Sequence, residues 1–375
     1  MSGPRLKIAM FAHNYVPHPG GLEVMVWNLA RGLAERHDVV LVSSAYDGVS
    51  GVSREDGFEV HRLPVTHFSE RNGIPYPLPL GPGVRRAMKA VEGADIVHAH
   101  GALYAQTLLA RRAARKAKAP LVLTEHVGFV EYPGAAVNGV QRLAWRLIGD
   151  GTVGRSDALV ALSSRVQTWL AGRAGRAVRF VGNGVDCVRF RSRSAEERLA
   201  LRRSFGLPES EVLVIFVGRE SAKKNLDIAL AALRDDFTLV VCGAKRGLVG
   251  ERLIDLGIVR YERMADLFAC ADAMVHPATG EGFPLAVQES IASGVPVVLL
   301  WDDGYDRVLT RELVVACEDA REVAPNLAAL ASDPARRAAL SAAGRAWAER
   351  HWSWKANVAA YEEIYHEVID KERRR

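Results

Sequence analysis

The sequence predicts an α/β protein with two doubly wound domains, each built on a parallel β-sheet. Short apolar runs alternate with amphipathic stretches in both halves of the chain, which is the pattern of repeated strand–helix–strand units. Most of the apolar runs are continuous and rich in Val, Ile and Leu, as expected for strands that helices cover on both faces. The length of 375 residues suits two domains of ordinary size.

The predicted elements follow the same alternation in each half. The predicted strands of the first half cover residues 6–12, 38–44, 58–63, 94–99, 120–124, 158–162 and 178–181. The helical stretches between them include residues 22–36, 103–118 and 164–171. In the second half, strands are predicted at 212–217, 237–242, 258–261, 273–275, 296–300 and 313–316. Helices are predicted there at 225–233, 247–256, 264–270, 284–293 and 335–351.

A turn-rich bend at Gly182-Asn183-Gly184-Val185-Asp186 separates the two halves, and we place the domain boundary there. The expected first domain covers residues 1–185 and the second covers residues 186–351. Residues 352–375 contain a further amphipathic stretch, whose apolar side chains recur at near-helical spacing. These side chains are Trp354, Val358, Tyr361, Ile364, Tyr365 and Val368.

Composition excludes several classes of protein. Hydrophobic residues make up 49% and charged residues 25% of the chain, which is not the composition of a disordered chain, a collagen or a coiled coil. No uninterrupted apolar run is long enough for a transmembrane helix, and the N-terminus lacks the pattern of a signal peptide. The four cysteines are far apart, so we expect neither a disulfide nor a zinc framework. These features predict a cytoplasmic protein.

The net charge of +5 suits an anionic small ligand or a membrane surface, and no motif typical of nucleic-acid-binding proteins is present. Two basic stretches, residues 83–89 and 111–118, are candidates for peripheral contact with an anionic membrane. A solvated helix face explains the same residues equally simply. Because ligands of doubly wound sheets bind at the carboxyl ends of the strands, the strand-to-helix loops decide the function.

The first such loop runs from His13 to Glu23 and opens the first long helix. Gly20 and Gly21 would expose backbone N–H groups at the start of that helix, which is a ready anion site. The spacing is not that of a dinucleotide fingerprint. A plain turn is the alternative reading of two adjacent glycines.

A second loop and helix contain two glutamates eight residues apart, Glu281 and Glu289. Pro284 suits the first turn of the helix between them. Carboxylates accept hydrogen bonds from hydroxyl groups, so the pair indicates a polyol ligand more than a phosphate. Solvated surface is the alternative, which the apolar neighbours Val287 and Ile291 weaken for Glu289.

A third loop, residues 218–225, follows an apolar strand and carries two candidate phosphate ligands. Arg219 can hold a phosphate bidentately, and Lys224 supplies a point charge at the same strand end. Together they indicate a diphosphate site, with a solvated turn as the alternative.

Histidines follow two strands of the first half. His98 lies inside a predicted strand and is more simply a structural residue, whereas His100 and His126 lie at the strand ends, where they could donate to a sugar hydroxyl or a phosphate. The His98–Ala99–His100 spacing does not predict a metal site, because no third ligand follows at suitable spacing.

Four motifs occur in the order found in family 4 of the retaining glycosyltransferases, and the resemblance covers essentially the whole chain. Glu281–Glu289, followed by residues 292–298, resembles the E-x7-E motif of that family and its next helix and strand. Residues 19–23, 181–186 and 218–224 resemble its other signatures. The resemblance implies the GT-B fold of two facing Rossmann-like domains, with residues 352–375 forming a helix that crosses back onto the first domain.

The resemblance also implies roles in binding the donor, a nucleoside diphosphate sugar. Glu281 would contact hydroxyls of the donor sugar, and Glu289 would hold the nucleotide ribose. Arg219 and Lys224 would bind the diphosphate. The implied donor site further includes Gly20, Gly21, Gly282, Phe283, Pro284 and Leu285.

His126 matches the histidine of the family near the reacting sugar, so the implied catalytic residues are Glu281, His126, Arg219 and Lys224. His100 and Glu125 are candidates for contact with the acceptor, whose hydroxyl could belong to a glycan, a lipid or a small molecule. The resemblance implies retention of the anomeric configuration and no metal or other cofactor. The loop at 301–306 departs from the family pattern and is interpreted as solvated.

Two other functions fit the same motifs. One is a GT-B enzyme that epimerises or hydrolyses nucleotide sugars. The other is a nucleotide-sugar-binding protein without turnover, although retention of all four residues Glu281, Glu289, Arg219 and Lys224 argues against it.

Overall fold

The computed structural model describes residues 4–18, 20–66, 78–79, 81–129, 134–244 and 247–374. The chain divides into two compact units. The first unit comprises the described residues up to Gly182 together with those from Trp354 onward, and the second comprises Asn183–Ser353. The predicted boundaries at residues 185 and 351 lie close to these divisions.

The described residues of the first unit form an eight-stranded sheet in the order β10-β9-β8-β7-β1-β2-β4-β3. All neighbouring strands are parallel except β3 and β4. The strands are β1 (Lys7–Phe11), β2 (Asp38–Ser44), β3 (Gly51–Glu55), β4 (Phe58–Leu63), β7 (Ile96–His100), β8 (Leu121–Glu125), β9 (Ala158–Ala161) and β10 (Arg179–Phe180). Two short strands, β5 (Val65–Thr66) and β6 (Leu78–Pro79), pair separately.

Helices cover this sheet. They are α1 (Gly21–Ala34), α2 (Pro82–Ala90), α3 (Ala105–Ala117), α4 (Ala135–Ala144), α5 (Asp150–Val153), α6 (Ser164–Ala174) and α13 (Trp354–Arg373), with a π-helical turn at Trp145–Gly149 before α5. Side chains of α2, α3, α5 and α6 share one hydrophobic core with β1, β2, β7, β8 and β9, so these four helices lie on the same face of the sheet.

The C-terminal helix α13 belongs to the first unit and packs against α1. Gly32 of α1 lies against Val358 of α13, since a Cβ atom added at Gly32 would lie 2.5 Å from Val358 Cγ2. Tyr361 and Tyr365 of α13 are fully buried, and the Tyr365 hydroxyl lies 2.7 Å from His98 Nδ1 in β7. The amphipathic pattern from Trp354 to Val368 therefore reports a helix that is part of the first core.

The second unit contains a six-stranded parallel sheet in the order β13-β12-β11-β14-β15-β16. Its strands are β11 (Leu213–Val217), β12 (Thr238–Cys242), β13 (Leu253–Asp255), β14 (Ala273–His276), β15 (Val297–Leu300) and β16 (Val315–Cys317). Its helices are α7 (Ala195–Ser204), α8 (Leu226–Ala231), α9 (Tyr261–Cys270), α10 (Leu285–Ala292), α11 (Ala320–Ser332) and α12 (Pro334–His351).

Each sheet has one point at which the strand order reverses. In the first sheet, β1 lies next to β7, and in the second, β11 lies next to β14, although neither pair is consecutive in sequence. Loops leave such a pair of strands in opposite directions and open a crevice at the carboxyl ends, where ligands of doubly wound sheets bind. The loops with candidate site residues at 13–23, 218–225 and 277–284 all leave strands of these two pairs.

The predicted helix at 247–256 is wrong, because this segment contains β13 and turns. Gly247 and Gly257 have φ values of +60° and +59°, which a helix interior does not allow. The Asp255 carboxylate instead accepts hydrogen bonds from the backbone N–H groups of Leu248 and Gly257, at 2.9 and 2.8 Å. These local bonds satisfy the backbone in a turn, so the apolar residues there do not form a helical face.

The predicted strand at 258–261 is also wrong. Ile258 is exposed, and Tyr261 is the first residue of α9. A run of four residues rich in apolar side chains is too short to separate a strand from the approach to a helix. The neighbouring residues 253–255 take the edge position of the sheet instead.

The close approach of α1 and α13 predicts that Gly32→Ala destabilises the protein. The added methyl group would overlap Val358, and overpacking costs about 1–3 kcal/mol, more than the roughly 1 kcal/mol that Ala gains over Gly in a helix. Gly172→Ala is the matched control, because a Cβ there meets nothing within 4 Å and Gly172 also lies two residues before the end of its helix. Urea unfolding should show a loss for Gly32→Ala and a gain for Gly172→Ala.

The same overlap disappears when Val358 is shortened. In a Val358→Ala background, Gly32→Ala should be neutral or stabilising. An equal loss of unfolding free energy in both backgrounds would show that the two helices do not meet at these residues.

Candidate active site

The second unit brings the loop after β11 against the loop after β14. Asn225 has the left-handed conformation, with a φ of +50°, and its side-chain amide donates to the Pro277 carbonyl oxygen at 2.8 Å. The backbone N–H of Thr279 donates to the Lys223 carbonyl oxygen at 2.9 Å. These two bonds tie together the loops that carry the predicted phosphate ligands and Glu281.

Glu281 lies at the centre of this arrangement and is 8% exposed. Its Oε2 atom lies 2.8 Å from Lys224 Nζ and 3.3 Å from His276 Nε2, and its Oε1 atom lies 3.7 Å from Lys223 Nζ. Although burial opposes ionisation, the two lysines and His276 hold the pKa of the Glu281 carboxyl well below its ordinary value. Glu281 is therefore an ionised, positioned hydrogen-bond acceptor.

Two cations contact this carboxylate, and a third lies near them. Lys223 and Lys224 contact Glu281, whereas the exposed side chain of Arg219 forms no ion pair within the described residues. Burial, together with the charges of Lys224 and Arg219, lowers the pKa of Lys223, while Glu281 opposes that change. The excess of positive charge at the end of β11 favours binding of an anion. The structure thus brings together the predicted residues Arg219, Lys224 and Glu281 and adds Lys223 and His276.

Tight backbone packing shapes the base of this loop. Gly243 has a φ of +97°, and a Cβ atom there would lie 2.6 Å from the carbonyl oxygen of Gly218. Only glycine fits at position 243, because any side chain would strike the backbone of the neighbouring loop. The ends of β11 and β12 consequently present backbone, rather than side chains, next to Arg219.

Glu281 and Glu289 flank the start of α10. Pro284 caps this helix, and Gly282, Phe283 and Leu285 are buried around it, with the Phe283 ring packed edge-on against Tyr305 at 5.1 Å. The first N–H groups of any helix lack partners within the helix, and its N-terminus is electropositive. The predicted residues 282–285 therefore form the rigid start of a helix beside Glu281.

Glu289 is 5% exposed and accepts a hydrogen bond from the Tyr261 hydroxyl at 2.8 Å. The Arg189 guanidinium lies 4.5 Å from the Tyr261 ring centroid and donates to the Tyr261 carbonyl oxygen at 2.5 Å. Burial raises the pKa of Glu289 to about 7, although Tyr261 and Arg189 oppose the increase. Sequence analysis missed Tyr261 and Arg189, because both lie outside the motif that they support and meet Glu289 only in the folded chain.

In the first unit, the loop after β1 meets the loop after β7. The His13 ring stacks on Tyr104 at a centroid distance of 4.2 Å, which joins the two loops at the point of strand-order reversal. Glu23, in the first turn of α1, fills the space beside Gly20, and its Oε1 atom lies 2.6 Å from His18 Nδ1. The anion site predicted at Gly20 and Gly21 is therefore already faced by a carboxylate of the chain. Pro19 lies outside the described residues.

Glu125 joins the loops after β7 and β8 through backbone groups. Its Oε2 atom accepts a hydrogen bond from the N–H of Ala102 at 2.9 Å, and its Oε1 atom accepts from those of His126 and Gly128 at 3.2 and 3.4 Å. Burial raises the pKa of the Glu125 carboxyl, and these hydrogen bonds oppose the increase. The structure places Glu125 as a clamp on the backbone, with both carboxylate oxygens engaged.

Three buried histidines lie near Glu125: His98 and His100 in β7, and His126 directly after β8. His98 bonds to Tyr365 and, through Nε2 at 2.8 Å, to Thr124, which is the structural role predicted for a residue inside a strand. His100 has no exposed surface, and its Nδ1 atom lies 3.2 Å from Nε2 of His126, which is 7% exposed. Burial lowers the pKa of His126 to about 4 and that of His98 to about 3, so the rings are neutral at pH 7.

No group of three or more His, Cys, Asp or Glu side chains in the described part of the chain is arranged to hold a metal ion. Nor is any described helix long and apolar enough to cross a membrane. The predicted loop at 301–306 forms a turn in which the Asp302 carboxylate accepts a hydrogen bond from the Gly304 N–H at 2.8 Å. The Asp302 carboxylate therefore caps the backbone of this turn.

Comparison with known proteins supports the same reading. Residues 19–189 match the model of Glycosyltransferase Family 4, and residues 197–347 match that of the Glycosyl transferases group 1. The D-inositol 3-phosphate glycosyltransferase of Xylanimonas cellulosilytica is 31% identical over 97% of this chain and 96% of that protein. The GDP-mannose-dependent alpha-mannosyltransferase of Mycolicibacterium smegmatis is 31% identical over 83% of each chain.

Solved structures agree in fold. Sucrose-phosphate synthase from Thermosynechococcus elongatus has a TM-score of 0.79 and 19% identity, with 98% of this chain and 100% of that chain covered. HepE of Anabaena in complex with UDP-glucose has a TM-score of 0.77 and 18% identity, with 97% and 100% covered. These matches show the GT-B fold. With its two matched family models and its full-length relatives, this chain belongs to family 4 of the glycosyltransferases.

Proposed function

We propose that this glycosyltransferase moves a sugar from a nucleoside diphosphate sugar to an acceptor hydroxyl, with retention of configuration and without a metal ion. The observation that carries the proposal is the pair of lysines, Lys223 and Lys224, on the buried carboxylate of Glu281, with the charge of Arg219 close to Lys223. A bound diphosphate would supply the negative charge that balances these cations. The names of the two 31% identical relatives support a nucleotide-sugar or phosphorylated-polyol chemistry of this kind.

Negative charge develops on the diphosphate as it departs, and this charge makes the transition state costly. The cations of the loop would stabilise it. Fixed cations stabilise such charge without reorganising during the reaction. Lys224 cannot swing away freely, because Glu281 holds its ammonium group at 2.8 Å and the loop is tied to Pro277. Lys224 and Arg219 would thus provide the stabilisation that a divalent ion provides in other enzymes.

Glu281 would at the same time orient the donor sugar. Its carboxylate stays ionised, so it accepts hydrogen bonds from sugar hydroxyls and cannot serve as an acid. In a retaining transfer without a protein nucleophile, the acceptor would attack on the face from which the diphosphate leaves. A phosphate oxygen of the leaving group would then take the acceptor proton.

Glu289 would hold the ribose of the donor nucleotide. A carboxylate can accept two hydroxyl hydrogen bonds, and Tyr261 already orients one of its oxygens. The neutral His126 would contact the reacting sugar as a hydrogen-bond partner rather than as a cation. Acceptors to test first are inositol phosphates, after the name of the Xylanimonas relative, followed by glycans and lipids.

Loss of either phosphate ligand should slow transfer with the fold intact. We expect Arg219→Ala and Lys224→Ala to lower kcat/KM roughly 30- to 1,000-fold, which corresponds to about 2–4 kcal/mol of lost transition-state stabilisation. Steady-state kinetics would measure this. Arg234→Ala is the control, because it removes an exposed cation from the same unit.

Lys224→Ala also leaves Glu281 with one ion pair fewer, so the folding of this variant needs a separate check. The double variant Lys224→Ala/Glu281→Gln removes the buried charge and should recover stability without recovering activity. Wild-type turnover in Arg219→Ala and in Lys224→Ala would refute the role of these residues at the diphosphate.

The buried Glu289 predicts a dependence of stability on pH. Because burial raises its pKa from an unfolded value of about 4.5 to about 7, the folded protein binds more protons than the unfolded chain between these values. Stability should therefore fall by about 2–3 kcal/mol as pH rises from 5 to 8. Glu289→Gln keeps an acceptor for Tyr261 and should remove this loss in urea unfolding.

Glu262→Gln is the matched control, because the side chain of Glu262 is 70% exposed in the same unit. It should follow the pH dependence of the wild type. If Glu289→Gln and the wild type lose the same stability between pH 5 and pH 8, Glu289 is not protonated in the folded protein.

Metal independence and retention can be tested on one reaction mixture. Turnover should stay within twofold after treatment with EDTA, and NMR of the product should show the anomeric configuration of the donor. Loss of activity that Mg²⁺ or Mn²⁺ restores would contradict the first expectation. An inverted product would contradict the second.

A further inference from the structure

A second basic surface lies in the first unit, away from the loops described above. It is a concavity of about 690 Å³ between the C-terminal half of α3, the start of β8 and the end of α5. Five cationic side chains line it: Arg111, Arg112, Arg115, Lys118 and Arg155. Arg111, Arg112 and Arg115 lie on α3, and Lys118 follows its last residue.

Within the described ranges, none of the five cations forms an ion pair with a carboxylate, whereas Lys116, also on α3, pairs with Glu92. Two acids also line the concavity, Asp157 and Glu372. The Asp157 carboxylate is already engaged with the backbone, because its Oδ2 atom accepts a hydrogen bond from the Leu121 N–H at 2.9 Å. The surface therefore keeps a net positive charge.

Two of the guanidinium groups converge on one point. A Cβ atom added at Gly151 would lie 3.2 Å from Arg155 Nη1 and 3.9 Å from both terminal nitrogens of Arg111. Arg111 is held there by Thr152, whose Oγ1 atom lies 3.4 Å from Arg111 Nη1. Burial and the nearby charge of Arg155 both lower the pKa of Arg111. Like charges held this close are stabilised when an anion binds between them.

We propose that this concavity is a binding site for a ligand with two or more phosphate groups. The cations of this segment extend from Arg111 to Lys118, about 10 Å along the helix and its C-terminal cap, and Arg155 lies on another element, so a ligand with more than one phosphate can engage more of them than a single phosphate can. The ligand is separate from the donor, because the site adjoins Leu121 at the amino end of β8, whereas His126 follows its carboxyl end. Five residues of strand place these ends about 15 Å apart. Phosphates in solution and lipid headgroups share this chemistry.

Isothermal titration with tripolyphosphate tests the site. We expect Arg112→Ala/Arg115→Ala/Lys118→Ala to weaken binding at least tenfold. The matched control is Arg85→Ala/Arg86→Ala/Lys89→Ala, which removes the same charge from exposed positions of α2 and should weaken binding less than twofold. Tripolyphosphate can also bind at the loop of residues 218–225. The part of the binding that Lys224→Ala removes is therefore assigned to that loop and subtracted.

Sedimentation with vesicles containing phosphatidylglycerol distinguishes the two sources of phosphate. Loss of vesicle binding in the α3 variant alone would assign the site to lipid headgroups. Binding of tripolyphosphate without vesicle binding would assign it to a soluble ligand. The proposal is overturned if the wild type binds neither probe, or if the two triple variants weaken binding equally.

A different observation concerns the reaction itself and rests on the proposed role of His126. One proton must lie between His100 Nδ1 and His126 Nε2, because both rings are neutral and the atoms are 3.2 Å apart. Nε2 of His100 is buried and has no partner among the described residues. If His100 carried its proton on Nε2, a buried N–H would be left unpaired, and such donors are rarer than unpaired acceptors.

We infer that His100 is a positioning residue that donates from Nδ1 to His126 and thereby leaves the proton of His126 on Nδ1. His126 then faces the donor or acceptor as a hydrogen-bond donor and not as a base. His100 contributes without touching substrate, because it has no exposed surface.

Long-range proton–nitrogen NMR of histidine-labelled protein reads the tautomer directly and needs no turnover. We expect protonated Nδ1 and unprotonated Nε2 in His126. In His100→Leu the His126 signal should shift to the other tautomer or a mixture, with at least a tenfold loss in kcat, while His100→Asn, which keeps an amide donor, should recover part of both. Protonated Nε2 in the wild type, or an unchanged tautomer and kcat in His100→Leu, would overturn the inference.

Discussion

The ion pair between Lys224 and Glu281 holds the candidate site of the second unit together. A carboxylate as buried as that of Glu281 is costly unless it is paired, and the two lysines with His276 provide that pairing. The pair also joins two loops that leave neighbouring strands, β11 and β14, at the point where the strand order reverses. One interaction therefore satisfies the buried charge, closes the two loops and fixes cations where a diphosphate would bind.

The first unit also contains a buried carboxylate at the end of a strand, but the hydrogen-bond partners of this carboxylate are backbone groups. Glu125 also joins two neighbouring loops, but it does so through three backbone N–H groups and no cation. Burial keeps the adjacent histidines neutral, and Glu23 adds a carboxylate beside Gly20. The first unit thus offers neutral or negative groups at its strand ends, whereas the second offers excess positive charge.

Much of this was predictable from sequence, because strand–helix alternation and the short motifs are local signals. The two glutamates eight residues apart and the Gly-Arg-x4-Lys loop led to the prediction of Glu281, Glu289, Arg219 and Lys224 as site residues, and the structure places Lys224 against Glu281 with Arg219 in the same loop as Lys224. The supporting residues Tyr261, His276 and Arg189 could not be found in this way, since their relation to the glutamates exists only after folding. The helix predicted at 247–256 failed because glycines and the Asp255 side chain satisfy the backbone locally, which hydropathy does not register.

If the cations beside Glu281 bind a diphosphate, the affinity of the protein for nucleotides depends on them. Calorimetry would compare the diphosphate and monophosphate of whichever nucleoside binds, for the wild type and for Lys224→Ala/Glu281→Gln. The wild type should bind the diphosphate at least about 30-fold more tightly, which is about 2 kcal/mol, and the variant should lose most of that preference while keeping its affinity for the monophosphate. Equal affinities in the wild type, or an undiminished preference in the variant, would contradict the account.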